Sequence, residues 1–310
     1  MEFKHTPVML EECIENLNIK KDGIYVDGTL GGGGHSYQIA KRLTTGKLIA
    51  VDKDTEAIEI AKKRLEEFGG VVEYVHDDFK NIIEQLDKLH IDKIDGVLLD
   101  LGVSSYQIDN EDRGFSYNGD ALLDMRMDQT QYLTAFNVVN EYNEIDLANL
   151  IYQYGEERLS RKIAYNIVKA RDKMSIRTTG ELAKIVELSF PPQLRWKNGN
   201  PCKRTFQAIR IEVNKELTGL DTVIEQLANR MNKGGRICII TFHSLEDRIV
   251  KQTFAYLEKS CICPPQQPIC NCNKKQIVKN ITKKPIIPCE EELKNNSRSA
   301  SAKLRVAEKI

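Results

Sequence analysis

The residues best suited to chemistry recur in one register along the first hundred positions. Asp27 closes the apolar run Ile24-Tyr25-Val26, and Asp52 closes Lys47 to Val51. Asp78 lies just past Val71 to Val75, and Asp100 closes Ile94 to Leu99. Carboxylates held close together repel, so such a set calls for a hydroxyl, an amine or a cation as partner. Between the first two acids stand Gly31 to Gly34, then His35 and Ser36. Residues without Cβ let a ligand approach the main chain, and a helix starting there offers free N–H groups and its positive dipole end. A flexible surface turn is the plainer alternative; an apolar strand before and a helix after favour a nucleotide loop. Asp52 follows the glycines at the distance where α/β cofactor folds place an acid for ribose hydroxyls. The capping role that would otherwise explain it is better filled by Asp54. Asp78 and Phe79 suit an adenine amino group and ring face, with Phe79 equally able to be a core residue at a helix start. Cys261/Cys263 and Cys270/Cys272 offer four thiolates for zinc. Their one-residue spacing is unusual and Pro264, Pro265 and Pro268 restrict the loop, so reduced surface thiols stay open as the alternative.

The elements that must position these residues are strands alternating with helices. Pro7 to Leu17 reads as a lead-in helix, preceded by His5, which either faces a site or merely starts that helix. Helices follow the first strand at Tyr37 to Leu43 and the second at Asp54 to Phe68, where Ala57, Ile58, Ala61 and Leu65 share one face. Such alternation implies a parallel sheet with helices on both faces, and ligands bind beyond the carboxyl ends of its strands. After Ser105 the pattern changes. Residues 135–150, 157–171 and 179–188 read as helices, the last started by Thr178-Thr179 and stopped by Pro191-Pro192. A loop from Trp196 to Pro201 precedes a helix opening at Lys203 and running to about Leu227. The sheet resumes with a turn at Asn232 to Gly235, a strand at Arg236 to Thr241 and a helix from Glu246 to about Leu257. Residues 277–288 and 302–306 read as an antiparallel pair. The expected division is therefore residues 1–105 with 206–310 as one domain, and 106–205 as a helical insertion.

Charge separates the same two parts. The 310 residues hold 45 basic and 45 acidic side chains, yet residues 158–215 carry 14 basic against 4 acidic, and residues 273–310 carry 10 against 4. Residues 1–157 carry 31 acidic against 15 basic. Two basic zones on a neutral chain suggest a polyanion such as nucleic acid, with solvated helix faces as the alternative. No apolar run approaches membrane-spanning length, and charges interrupt the N-terminus, so a cytoplasmic enzyme with no membrane partner is expected. Eight cysteines then read as thiols or metal ligands, not disulfides.

The ordered motifs DGTLGGGGHS, AVDKD, LLDLGVSS, RGFS, LDMRMD, RTFQAIRIEVN, GGR and TFHSLEDR resemble, over nearly the full length, the MraW-type bacterial methyltransferases. That resemblance implies a class I, Rossmann-like, seven-stranded S-adenosylmethionine-dependent fold with an inserted all-helical substrate domain. It implies N4-methylation of a cytidine in the decoding region of 16S ribosomal RNA, within the 30S subunit. Cofactor contacts implied are Gly33, Gly34 and His35 at the methionine part, Asp52 at the ribose, Phe79 and Asp78 at the adenine, and Asp100 and Gln107 at the methionyl end; Asp27 is added as a cofactor contact from its place at a strand end. Cytosine N4 is a poor nucleophile, so the site needs a hydrogen-bond acceptor for the amino group: Asp100 first, with His243 or Ser104 as alternatives, and His243 equally able to orient the base. The target base must leave its stack. Arg113, Arg126, Lys203 and Arg204 are the expected RNA contacts. The Pro-Pro-aromatic motif of many amino-methylating enzymes is replaced by DLGVSS, and a homodimer is left open. The rivals are an NAD-dependent dehydrogenase, which lacks a clean GxGxxG here, and a non-catalytic RNA-binding assembly factor. A P-loop enzyme lacks its Lys.

Overall fold

The structure is a computed structural model that describes residues 7–193, 195–197, 199–264, 266–267 and 269–310. His5, Pro265 and Pro268 lie outside the described residues, as does Asn198 of the loop after Trp196. The chain divides into two compact units, one of residues 1–102 with 219–310 and one of residues 103–218.

The first unit is built on seven strands: β1 (Ile24–Asp27), β2 (Lys47–Asp52), β3 (Val72–His76), β4 (Ile94–Asp100), β5 (Met231–Thr241), β6 (Val278–Asn280) and β7 (Lys303–Lys309). Their order is β3-β2-β1-β4-β5-β7-β6. β1 to β5 pair in parallel, while β7 is antiparallel to both β5 and β6. The central strands read as unbroken apolar runs because both faces are covered. Alternate residues serve opposite cores: Val26, Ile49, Val51, Val97, Leu99, Ile237 and Ile239 on one face, and Tyr25, Leu48, Ala50, Leu98, Cys238 and Ile240 on the other. Parallel pairing sends β1 to β4 out at one edge, and with them the four aspartates. β5 starts earlier than its apolar run suggests. The Asn232–Gly235 segment is a bulge inside it, since Ile94 pairs with Met231 but Gly96 with Arg236, and Gly234 takes φ 80° there.

The second unit holds its own core, formed by helices Ala135–Glu141, Glu144–Gly155, Ser160–Arg171, Thr179–Ser189 and Cys202–Asn214. Thr178 starts its helix as expected, forming a capping box with Glu181. Two expected long helices are each broken. Tyr142 ends one with extended backbone and Asn143 caps the next. Lys215 takes φ 49° after Asn214, so the helix from Cys202 stops and a separate one runs Leu220–Arg230 in the first unit. Apolar periodicity continues across both breaks, which is why pattern alone joins them. Among the described residues no helix is long and apolar enough to cross a membrane.

Candidate functional site

The glycine loop is held from three sides within the first unit. Gly31 N–H donates to Asp52 Oδ2 at 2.7 Å, Gly33 N–H to the Leu30 carbonyl at 2.8 Å, and Arg64 Nη1 to the Gly32 carbonyl at 2.9 Å. Gly33 caps the helix Gly34–Ala40 with φ 74°, a conformation that favours glycine. Gly34 is required by packing, because a Cβ there would stand 2.2 Å from Pro7 Cγ. Gly32 has room, its nearest atom being Arg64 Nη1 at 3.9 Å. Much of the glycine signal is therefore close packing of the loop against its own protein.

Asp52 is engaged within the protein itself. Its other oxygen accepts from Asp54 N–H at 2.9 Å, so the carboxylate ties the glycine loop to the end of β2. Asp54 is the helix cap, accepting from Glu56 N–H. Asp27 is buried and accepts from Ser36 Oγ at 2.6 Å and Thr29 N–H at 3.1 Å. Burial nevertheless pushes its carboxyl up to about 6. Asp78 caps the short turn Phe79–Asn81 and has Lys53 Nζ at 3.8 Å and Lys80 Nζ at 3.9 Å. Phe79 is half-buried against the sheet core, where a Cβ on Gly28 would reach it at 3.1 Å.

Asp100 is the outlier. Thr29 Oγ1 accepts from its N–H at 2.6 Å, and His35 Nδ1 lies 3.8 Å from its Oδ2. Its Oδ1 is sealed from solvent with no hydrogen-bond partner among the described residues. Burial, followed by the nearby charges of Asp27, Glu246 and Glu292, pushes this carboxyl up to about 8. The structure thus gathers acids from the ends of β1 and β4 and from two later helices, Ser244–Glu258 and Glu290–Asn295. Glu246 and Glu292 were invisible as site residues in the sequence, because each reads as an ordinary acid in a first helical turn. His35 is buried and its Nε2 meets the Val8 carbonyl at 3.1 Å.

His243 sits past β5 and caps the helix Ser244–Glu258: its Nδ1 accepts from Glu246 N–H, and Glu246 returns the bond to the backbone N–H of His243. Its Nε2 lies 3.2 Å from Glu246 Oε1. Ser104 and Gln107 belong to the second unit, where they form the capping box of helix Ser105–Asp109.

The expected RNA contacts separate. Lys203 is exposed, and Arg204 is exposed while pairing with Glu157 at 3.5 Å. Arg113 is a correction. It is buried, and its Nη2 donates to the Arg126 and Met127 carbonyls at 3.0 Å each, so it is an internal strut and not a phosphate contact. Arg126 is largely committed too, to Asp124 and to the carbonyls of Gln129 and Gln131. Sequence reasoning passed over Arg161, Lys162, Tyr165 and Trp196, which the second unit exposes. Their signal, basic and aromatic positions off the apolar face of helix Ser160–Arg171 and an aromatic in the loop before Pro201, was present.

The profile of the MraW methylase family matches residues 2–310. The chain is 58% identical over 311 residues to "Ribosomal RNA small subunit methyltransferase H" of Clostridium botulinum (strain Kyoto / Type A2), covering 100% of both chains. It is 57% identical to the protein of that name from Lachnospira eligens, covering 100% of this chain and 99% of that one. An rRNA methylase structure from Streptococcus thermophilus aligns over 97% of this chain and 93% of that one, with 13% identity and a TM-score of 0.41. The sheet order, with β7 inserted antiparallel, is the class I arrangement that the motifs implied. With that sheet and a match along the whole length, the chain belongs to the MraW methylase family.

Proposed function

We propose that this protein transfers a methyl group from S-adenosylmethionine to the N4 amino group of a cytidine in the decoding region of 16S ribosomal RNA. The observation that carries the reading is the sealed Oδ1 of Asp100, which has no hydrogen-bond partner among the described residues and stands near Asp27 and Glu246, at the strand end beside a glycine loop. A sealed carboxylate oxygen with no hydrogen-bond partner among the described residues, beside other acids, fits a cationic ligand, and the cofactor is one. Bound there, S-adenosylmethionine supplies a methyl group on a positive sulfonium, open to in-line displacement.

The chain's own residues position the reactants. Asp52, fixed by two backbone N–H groups, keeps lone pairs for ribose hydroxyls. Asp78 and Phe79 border the adenine, and Gly33, Gly34 and His35 the methionine part. Asp100, charged once the cationic cofactor is bound, accepts a hydrogen bond from the cytosine amino group and then its proton. His243 and Ser104 are weaker acceptors, since His243 Nδ1 and Ser104 Oγ already receive backbone N–H groups. The exposed cations of the second unit, with Tyr165 and Trp196, supply phosphate contacts and stacking faces. The relatives' name for their activity supports a small-subunit RNA target.

The test is methyl transfer from labelled S-adenosylmethionine to purified small subunits and to free ribosomal RNA, with nucleoside analysis. N4-methylcytidine is expected. Intact cofactor binding with no transfer to either substrate would favour a non-catalytic RNA-binding protein.

A further inference from the structure

Four cysteines remote in role from the acid cluster converge on one point. The sulfurs of Cys261, Cys263, Cys270 and Cys272 all lie within 4.8 Å of one another. Cys270 Sγ is 3.5 Å from Cys261 Sγ, 3.8 Å from Cys263 Sγ and 3.5 Å from Cys272 Sγ, and Cys261 and Cys272 are 3.9 Å apart. Disulfides need a pair at about 2.05 Å, and all four thiols are free. A tetrahedral ion with Zn–S bonds of about 2.3 Å sets its sulfurs about 3.8 Å apart. The backbone is bent to suit. Cys263 N–H points at Cys261 Sγ and Ile262 N–H at Cys272 Sγ, both at 3.4 Å. Asn273, just past the second pair, takes φ 51°. Such N–H···S contacts favour thiolate over thiol.

We propose that these four cysteines bind one structural zinc ion. The segment joining helix Ser244–Glu258 to β6 spans residues 259–277, long for a connection without regular structure. Its apolar residues within the cysteine loop, Ile262 and Ile269, are exposed. Its ends are anchored: Ile277 N–H donates to the Leu257 carbonyl at 2.9 Å, and Lys274 Nζ stands 4.3 Å from the Tyr256 ring centre. Hydrophobic burial cannot hold four thiols together here, and metal binding can. Coordination replaces four S–H protons by one Zn²⁺ and leaves a dianionic centre. Lys259, Lys274 and Lys275 offset that charge from the same segment.

The test uses the full chain, grown with zinc and purified without chelator. Elemental analysis is expected to give one zinc per chain, released stoichiometrically by an organomercurial. Cobalt exchange should give the visible bands of a tetrahedral tetrathiolate. The double variant Cys261→Ser/Cys272→Ser should lose the metal, whereas Cys289→Ser should keep it. Wild-type chain that contains no zinc and takes up none overturns the proposal, as does equal loss in Cys289→Ser. One iron per chain in place of zinc overturns the metal assignment. Wild-type stoichiometry decides the matter even where the double variant misfolds.

Discussion

Replacing Asp100 by Asn should separate stability from cofactor binding. Burial and the charges of Asp27, Glu246 and Glu292 raise this carboxyl from an ordinary 3.8 to about 8. At pH 7 roughly one molecule in ten then carries the charge, and each pH unit below 8 costs a ligand that needs the carboxylate about 1.4 kcal/mol, or tenfold in affinity. Wild-type affinity for S-adenosylmethionine should therefore rise about tenfold per unit up to pH 8 and level off above it. Binding at pH 7 should release close to one proton beyond the ligand's own, read by calorimetry in buffers of different ionisation enthalpy. Asp100→Asn should bind more weakly, with that extra proton gone. The unliganded stability should move the other way. Between about pH 4 and 8 the folded protein holds a proton on Asp100 that the unfolded chain has released, so wild-type stability falls as pH rises through that window. Asp100→Asn should remove this fall and melt higher than wild type at pH 8. A variant that matches wild type in affinity, pH slope and proton release would refute the cation-site reasoning.

Four further outcomes follow from the geometry. Asp52→Ala orphans the N–H groups of Gly31 and Asp54 as well as losing the proposed ribose acceptor, so cofactor affinity should fall by about 1.5–3 kcal/mol; unchanged calorimetric affinity would remove Asp52 from the proposed site. Gly34→Ala places a Cβ 2.2 Å from Pro7 Cγ and should destabilise by about 1–3 kcal/mol, whereas Gly32→Ala, with room for its Cβ, should melt like wild type; equal melting temperatures for the two variants would discount the packing argument. Lys203→Gln with Arg204→Gln should flatten the salt dependence of RNA affinity by up to two phosphate contacts, each worth about 0.7–0.9 in slope; an unchanged slope counts against this surface. Arg113→Ala should destabilise the second unit by about 1–3 kcal/mol by orphaning two carbonyls, seen in thermal melts, while leaving the salt slope alone.

The sheet was legible because its central strands are buried on both faces and end in acids, a pattern that neither amphipathic helices nor half-exposed strands produce. Asp54 as cap and Thr178 with Glu181 were legible because caps are local. The helix breaks after Glu141 and Asn214 were not, since they rest on backbone turns at Tyr142 and Lys215 that apolar spacing does not register. Within the candidate site, Asp27, Asp52 and Asp100 stood out by their position at strand ends. Glu246 and Glu292 reach Asp100 only through packing between elements far apart in the chain. Arg113 shows the opposite error: a basic residue in a charged loop looks like a phosphate contact until its guanidinium is found bonded to its own backbone.

The interruption of the first unit also sets an order of assembly. β4 ends at Asp100, and its neighbour β5 begins at Met231. During synthesis β1 to β4 emerge first, yet the outer side of β4 has no partner until residues 103–218 have followed. That unpaired edge is a template for wrong pairing with other chains. The second unit has its own core and can fold in the interval, shortening the loop that β5 must close. A chain arrested near Thr218 should therefore carry one finished helical body and a sheet open at β4 as well as at β3, until β5 and β7 arrive.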